Sequence, residues 1–394
     1  MSPLAITASS LVSACGVGWR ETAAALREGR SGLARNDFEP AAELDTFIGR
    51  VEGVEHTPLP ARVAGYDCRL NRLCLLALEQ DGFAAAVARA RARYGADRVG
   101  IFVGTSTSGI LDTELATRAA LRASAAPSFD PAFYAQCHSM FAPVRFLREY
   151  LGVRGVGLTI STACSSSAKV FGAAARAVRA GLCDAAVVGG ADSLALSTLH
   201  GFRSLELLSA NPCRPCDAAR DGISIGEAAG FALLEPNVAA AVLMRGCGES
   251  ADAWHMSTPH PDGVGAARAM RDAIAAAGLA PGAIDYVNLH GTATLANDLA
   301  EDRAVCEALP HAPPVSSTKG WTGHALGAAG ITEALITAYA VEQQWLPGTL
   351  NCGSVDPRLR MQVITTAREA PVAHALSNSF GFGGNNCSLV LSRA

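Results

Sequence analysis

One local pattern occurs twice in this chain of 394 residues, and it restricts the folds open to it. In the first half, the strand-like run Arg98-Val-Gly-Ile-Phe-Val-Gly-Thr-Ser-Thr is followed by a second strand, the turn Ser161-Thr-Ala-Cys164 and an Ala-rich helical stretch, Lys169 to Arg179. In the second half, Ile284-Asp-Tyr-Val-Asn-Leu-His-Gly-Thr-Ala-Thr is followed by Val315-Ser-Ser-Thr-Lys-Gly-Trp-Thr-Gly-His324 and another helical stretch. Each half therefore offers a loop after one strand, then a polar turn that opens a helix. Two such halves packed together bring both sets of loops to one end of the molecule. The first half carries extra material, roughly Gly109–Tyr150, and the division falls near 236–250, giving units 1–245 and 246–394.

Short apolar runs at Val99–Val103, Ala185–Val188, Ile284–Leu289 and Ser388–Leu391 read as strands, and Leu158 and Ile160 as the end of a buried one. Helical patterns lie between them over Leu73–Arg93, Ala266–Ala277 and Ile331–Gln343. This alternation predicts an α/β class with buried sheets. Hydrophobic residues at 49% and charged residues at 17% fit a compact globular chain and exclude long disorder. A net charge of −4 offers no overall basic field for nucleic acid. No stretch approaches the ~20 apolar residues of a membrane span. The opening Met1-Ser-Pro-Leu-Ala-Ile-Thr lacks a basic n-region, so a cytoplasmic location is expected. The 12 cysteines follow no regular spacing and read as reduced thiols. Cys213-Arg-Pro-Cys216 is a lone pair without the second ligand pair that zinc needs.

The chemistry concentrates on a few residues. Cys164 sits where a strand ends and a helix begins, facing unpaired N–H groups and the positive end of the helix dipole, which favour the thiolate. The ordinary alternative is a buried structural cysteine. His290 lies on a loop directly after a strand, in Asn288-Leu-His-Gly-Thr-Ala-Thr294. His324 is expected at the start of a helix, where an added positive charge is disfavoured, and Lys319 just before it acts the same way. The glycines around it fit neither a P-loop nor a dinucleotide fingerprint. Among 32 basic residues only Lys169 and Lys319 are lysine, so each is a candidate for a site where a compact ammonium is needed. Asn378-Ser-Phe-Gly-Phe-Gly-Gly-Asn-Asn386 is a glycine-rich turn able to aim a backbone N–H at an oxyanion.

The order Cys164, His290, Lys319-x4-His324 and Gly-Phe-Gly-Gly, together with Asp221-Gly-Ile-Ser-Ile-Gly-Glu-Ala-Ala-Gly230 and Ala253-Trp-His-Met256, resembles the elongating β-ketoacyl-acyl carrier protein synthases over nearly the whole chain. The resemblance implies a thiolase-like fold, two pseudo-duplicated βαβ halves in an α-β-α-β-α layering. It implies a decarboxylative Claisen condensation of an acyl thioester with malonyl-acyl carrier protein, giving a 3-oxoacyl thioester in fatty acid or type II polyketide synthesis. The family's roles carry over to Cys164 as nucleophile, and to His290, His324 and Lys319 as the decarboxylation machinery. The backbone N–H groups of Cys164 and Phe382 match the oxyanion hole, and Phe382 also matches the gate. Thr292 and Thr294 match contacts to the phosphopantetheine arm, Thr107 a residue limiting chain length at a dimer contact, and Glu301 a structural acid near the lysine.

No metal or redox cofactor is implied; substrates arrive on the phosphopantetheine of an acyl carrier protein. The implied partners are that acidic carrier, met by a local basic patch for which Arg62, Arg69 and Arg72 are candidates, and a second subunit, either another copy or a chain-length-factor-like protein. Lys169 stands where many members carry histidine, and its role stays open between a site contact and a helix cap. Ser165–Lys169, Lys319–Trp321 and Asn385-Asn386 look like ketosynthases of type II polyketide systems such as aryl-polyene pathways. The rival readings are a thiolase acting on coenzyme A esters, which requires a second cysteine as base and for which Cys387 is the candidate, and a non-catalytic chain-length factor, which lacks the nucleophile.

Overall fold

The computed structural model describes residues 2–126 and 130–394. Met1 and part of the Gly109–Tyr150 segment lie outside the described residues. In chain order the principal strands are β1 (Leu4–Ser13), β2 (Val99–Gly104), β3 (Gly157–Ile160), β4 (Ala185–Asp192), β5 (Ala228–Glu235) and β6 (Val242–Ala251). They continue with β7 (Tyr286–Asn288), β8 (Pro314–Ser316), β9 (Gln362–Val363), β10 (His374–Gly381) and β11 (Asn385–Arg393). Their spatial order is β9-β8-β7-β10-β11-β6-β1-β5-β4-β2-β3.

The duplication read from sequence is written into that order. From the outside inward, the first half runs through its third, second, fourth, fifth and first strands, β3-β2-β4-β5-β1. The second half repeats the sequence of positions in β8-β7-β10-β11-β6, with β9 added outside. Pairing directions match as well: β2 is parallel to β3 and β4, as β7 is to β8 and β10, while β5 and β11 are antiparallel to both neighbours. The halves meet where β1 and β6 pair antiparallel, Leu4 opposite Met244 and Ala5 opposite Leu243. A division at 245/246 would run through β6; the connection between the halves is residues 236–241.

The helices are α1 (Trp19–Glu28), α2 (Arg69–Leu78), α3 (Phe83–Tyr94), α4 (Ile110–Arg122), α5 (Ala142–Leu151), α6 (Ser166–Arg179), α7 (Leu196–Ser204), α8 (Val264–Ala277), α9 (Leu295–Ala308) and α10 (Ala329–Gln343). One apolar core joins α6 and α10 to both halves of the sheet. A second packs α2, α3 and α5 on the outer face of the first half, and a third packs α8 and α9 on the second. The result is the α-β-α-β-α layering. Because β2, β4 and β5 are covered on both faces, all their residues are buried, and the sequence reads as continuous apolar runs. The two central helices touch closely: a Cβ added at Gly330 would lie 2.5 Å from the Ala168 backbone nitrogen, so only glycine permits this approach.

Two expectations need correction. The single helix over Leu73–Arg93 is two, α2 and α3, broken where Asp81 and Gly82 adopt φ of 55° and 70°. There the Asp81 carboxylate accepts the Trp19 N–H at 3.1 Å, a tertiary bond that no helical periodicity reveals. The strand carrying Leu158 is not buried: β3 is the outermost strand of the sheet, and Leu158 is 40% exposed. Among the described residues no helix is long and apolar enough to cross a membrane.

Candidate active site

Cys164 follows β3 through a strained turn. Ala163 sits at φ 52°, a left-handed conformation uncommon for a residue with a Cβ. The Ser165 hydroxyl donates to Thr162 O at 2.9 Å, the Ser166 hydroxyl donates to Ala163 O, and the Thr162 N–H reaches Ser166 Oγ at 2.9 Å. These small hydroxyl residues thus supply the local bonds that hold the turn and start α6, presenting the sulfur at the mouth of the helix.

His324 Nε2 lies 3.0 Å from Cys164 Sγ. It is not in the first turn of a helix as expected, because α10 begins only at Ala329. A short β-bridge fixes it instead: its N–H donates to Ser224 O at 2.8 Å, and its carbonyl accepts from Gly226 at 3.0 Å. His290 follows β7. Its N–H and that of Gly291 donate to the two oxygens of Glu301, each at 2.8 Å. The imidazoles meet edge to face, 5.3 Å between centroids. The Cys164 sulfur and a nitrogen of each histidine all lie within 4.8 Å of one another.

Lys319 stands behind them, buried. Its ammonium donates to His290 O and to a Glu333 carboxylate oxygen and lies 3.5 Å from His290 Nδ1. Glu301, expected near the lysine, serves the His290 loop, and the counterion is Glu333 on α10. Sequence reasoning missed Glu333; its signal was an acid inside the apolar run Ile331–Val341.

Burial governs the charges here. It pushes the Cys164 thiol up to about 11, against the pull of Lys319 and of the Phe382 N–H directed at the sulfur. The resting thiolate expected from the helix terminus is therefore opposed by desolvation. Burial, then Lys319, holds both imidazoles well below their usual pKa, with His324 adding to the effect at His290, so both are neutral. Glu333 and Glu301 are each pushed up to about 7 by burial. Proton positions follow from the partners. An ammonium can only donate to His290 Nδ1, which leaves the proton on Nε2. Among the described residues His324 Nδ1 is buried without a partner. An orphaned lone pair is cheaper than an orphaned N–H, so this ring too carries its proton on Nε2. Both rings thus offer N–H donors beside the sulfur.

These groups form the floor of a cavity of about 390 Å³ whose lining includes Phe382, Thr292 and Thr294. Thr294 Oγ1 caps α9 by accepting the Asn297 N–H at 3.3 Å and sits 3.0 Å from Thr292 Oγ1. The Phe382 ring packs on Phe202 at 5.5 Å. The glycine turn beside it depends on Gly384, at φ 73°, where an added Cβ would lie 2.6 Å from Asp252 Cβ.

Other expected residues are engaged elsewhere. Thr107 does not line the cavity; its hydroxyl and N–H donate to Asp192 at 2.9 and 3.0 Å. Lys169 donates to Asn385 Oδ1 at 3.0 Å, which ties α6 to the strand leaving the glycine turn. Arg69 is buried against Glu227 and Glu55, Arg72 is held by Asp67, and Arg62 lies over the Tyr150 ring. Arg69 is thus an internal pair, and Arg72 a surface one whose charge Asp67 offsets. Cys387 lies buried in β11 and outside the cavity, 3.8 Å from Cys247, so the second cysteine a thiolase requires is not at the site. Cys213 and Cys216 are free and buried behind Lys319, the Cys213 thiol on Lys319 O at 3.1 Å.

Comparison with known proteins agrees with this geometry. The family model described as beta-ketoacyl synthase, N-terminal domain, matches residues 1–240, and the one described as beta-ketoacyl synthase, C-terminal domain, matches 241–353. The chain is 33% identical to 3-oxoacyl-[acyl-carrier-protein] synthase 2 of Vibrio harveyi over 98% of both chains. Among solved structures it is similar to a ketosynthase of Xenorhabdus doucetiae, described in complex with its chain length factor, at 36% identity and a TM-score of 0.90 over 100% of this chain and 98% of the other. It is also similar to the ishigamide ketosynthase/chain length factor at 28% identity and a TM-score of 0.91, over 100% and 99%. With both family models covering 1–353 and full-length relatives sharing a third of its residues, the chain belongs to the beta-ketoacyl synthase family.

Proposed function

We propose that this chain performs the decarboxylative Claisen condensation of its family with Cys164 as nucleophile. The observation that carries the reading is the thiol 3.0 Å from His324, with His290 beside it and the Lys319–Glu333 pair behind, at the floor of one cavity. In the first half-reaction Cys164 sulfur attacks an acyl thioester. The carbonyl oxygen takes the negative charge in a hole made by the Cys164 and Phe382 N–H groups, and the thiol proton passes to the departing pantetheine sulfur. Loss of one such donor typically costs ~10²–10³ in rate. In the second, the two Nε2–H groups hold the carbonyl oxygen of a malonyl thioester. Breaking the C–C bond releases CO2 and leaves an enolate on that oxygen. Its carbon attacks the acyl-Cys164 thioester, the new C–C bond forms, and the Cys164 sulfur leaves as thiolate and takes a proton from solvent. Lys319 acts through His290, fixing the proton on the nitrogen that faces the cavity. Carbon dioxide release drives the bond formation, so the sequence of steps needs no electron carrier.

The substrates in this reading are carried on the phosphopantetheine of an acyl carrier protein, with Thr292 and Thr294 along its path. The exposed edge β3 supports pairing with a second thiolase-like subunit, since an uncovered strand edge is a template for another chain. Likeness to the Xenorhabdus ketosynthase, described with its chain length factor, favours a chain-length-factor-like partner, and the residues Ser165–Lys169, Lys319–Trp321 and Asn385-Asn386 favour a type II polyketide pathway of aryl-polyene type. Free cysteines and carrier-bound substrates fit action in the cytoplasm. The test is Cys164→Ala with carrier-bound acyl and malonyl donors, followed by mass spectrometry. Acyl transfer should vanish while malonyl decarboxylation persists; retained condensation would remove Cys164 from the mechanism.

A further inference from the structure

Glu206 stands at the rim of the cavity that ends at Cys164. It is exposed, and it occupies the turn that closes α7, where its N–H donates to Arg203 O and that of Leu207 to Phe202 O, both at 3.0 Å. Its φ is 57°, the left-handed position at which helices usually place glycine. A long charged residue in that conformation works against the turn, and its packing does not explain it: among the described residues the carboxylate has no hydrogen-bond or ion-pair partner. The rest of the lining sharpens the point. Among the described residues no lysine or arginine lines the cavity, while Glu206, Asp221 and Asp252 do. Asp221 is offset by Arg214 at 3.4 Å and accepts the Ser209 hydroxyl at 2.7 Å. Asp252 accepts Asn386 Nδ2 at 2.7 Å and the His260 N–H at 3.1 Å. Glu206 is the carboxylate of the rim left uncompensated.

We propose that Glu206 is a specificity-determining residue that rejects coenzyme A thioesters by charge. The inference rests on the cavity being the thioester channel. Malonyl-pantetheine and malonyl-coenzyme A are identical through the arm and differ in the 3′-phospho-ADP at or outside the rim, which places three phosphates there where the phosphopantetheine of a carrier places one. A carboxylate there repels each phosphate charge; at ~10 Å in water one such pair is worth about twofold in binding at low salt, and several phosphate charges act together. The repulsion is screened once the Debye length falls below that separation.

The experiment compares malonyl-coenzyme A with malonyl-pantetheine as decarboxylation substrates for the wild type, Glu206→Gln, Glu206→Lys and Glu206→Gly. Glycine fits φ 57° and separates relief of the turn from removal of charge. For malonyl-coenzyme A at low salt, kcat/KM should rise roughly threefold to tenfold in Glu206→Gln and Glu206→Gly and more in Glu206→Lys. The gain should shrink in roughly 0.5 M salt. Malonyl-pantetheine should stay within about twofold throughout, since it lacks the charges on which the residue acts. Equal kcat/KM for malonyl-coenzyme A across the four proteins, or a parallel rise for both donors, overturns the inference. Failure of every protein to turn over malonyl-pantetheine overturns the channel reading itself, and this inference with it.

Discussion

Replacing both members of the Lys319–Glu333 pair separates what the pair does for the fold from what Lys319 does for the reaction. Both side chains are almost wholly buried, 1% and 3% exposed, so neither charge has water to fall back on. Removing one partner of such a pair usually destabilises by about 3–5 kcal/mol, because the other charge stays buried and unpaired. Removing both in favour of apolar groups of similar size is often nearly neutral. Lys319→Met and Glu333→Met should therefore each lose about 3–5 kcal/mol in urea unfolding, a large part of the 5–15 kcal/mol typical of a native protein. The double variant should return to within about 2 kcal/mol of the wild type. Activity should not follow. Without an ammonium at 3.5 Å from Nδ1, nothing fixes the His290 proton on Nε2. Malonyl decarboxylation should then drop by about 10–100-fold in the double variant, the equivalent of one charge-assisted hydrogen bond. The assay pair is urea denaturation at fixed protein concentration and CO2 release from a malonyl thioester. Additive destabilisation in the double variant would refute the coupling. Decarboxylation within about threefold of the wild type would refute the role assigned to Lys319.

Two further outcomes are expected. A thiol whose folded pKa is raised to about 11 is protonated below that pH, so the logarithm of the Cys164 alkylation rate should climb by about one per pH unit through the range 8–11; a plateau below pH 9 would show that the helix terminus and Lys319 overcome desolvation. Asp192→Asn places an NH2 against the N–H groups of Ser106, Thr107 and Gly327, now at 2.7–3.0 Å from the carboxylate, and should cost about 2–4 kcal/mol in urea unfolding with a loss of decarboxylation, because Gly327 belongs to the His324 loop; unchanged stability would rule out that linkage.

What could be read in advance was whatever repeats along the chain or sits in a short motif. The two strand–turn–helix units, Cys164 after a strand, His290 after another and Lys319 five residues before His324 all leave local signatures, and the structure brings them together. Partners set by tertiary contact leave none. Glu333 belongs to the lysine only because α10 packs against the loop of residues 319–324, and Glu301, in the second turn of α9, turns to the N–H groups of His290 and Gly291 instead. Arg69 reads as surface charge because periodicity does not show that Glu227, 158 residues away, lies opposite it. The Cys164 thiol divides in the same way: the helix terminus that favours the thiolate is visible in sequence, while the degree of burial that opposes it is not.

The duplicated topology also places two equivalent loops under different carboxylates. The loop after β2 and the loop after β7 occupy the same position in their halves, and each is organised by a buried carboxylate. Asp192 gathers Thr105, Ser106 and Thr107; Glu301 gathers His290 and Gly291. In the first half the Thr105 and Thr107 hydroxyls and the Ser106 and Thr107 N–H groups go to the carboxylate, while the Ser106 hydroxyl has no hydrogen-bond partner among the described residues. In the second, Glu301 takes the His290 and Gly291 N–H groups and the Asn378 amide at 3.2 Å, and leaves the His290 imidazole to lie beside the sulfur. Asp192, the last residue of β4, also accepts the Gly327 N–H at 2.7 Å, so one carboxylate joins the loop after β2 to the His324 loop of the other half. The Cys164 sulfur comes from the first half, the two imidazoles beside it from the second, and Asp192 at the end of β4 ties the loops of the two halves together.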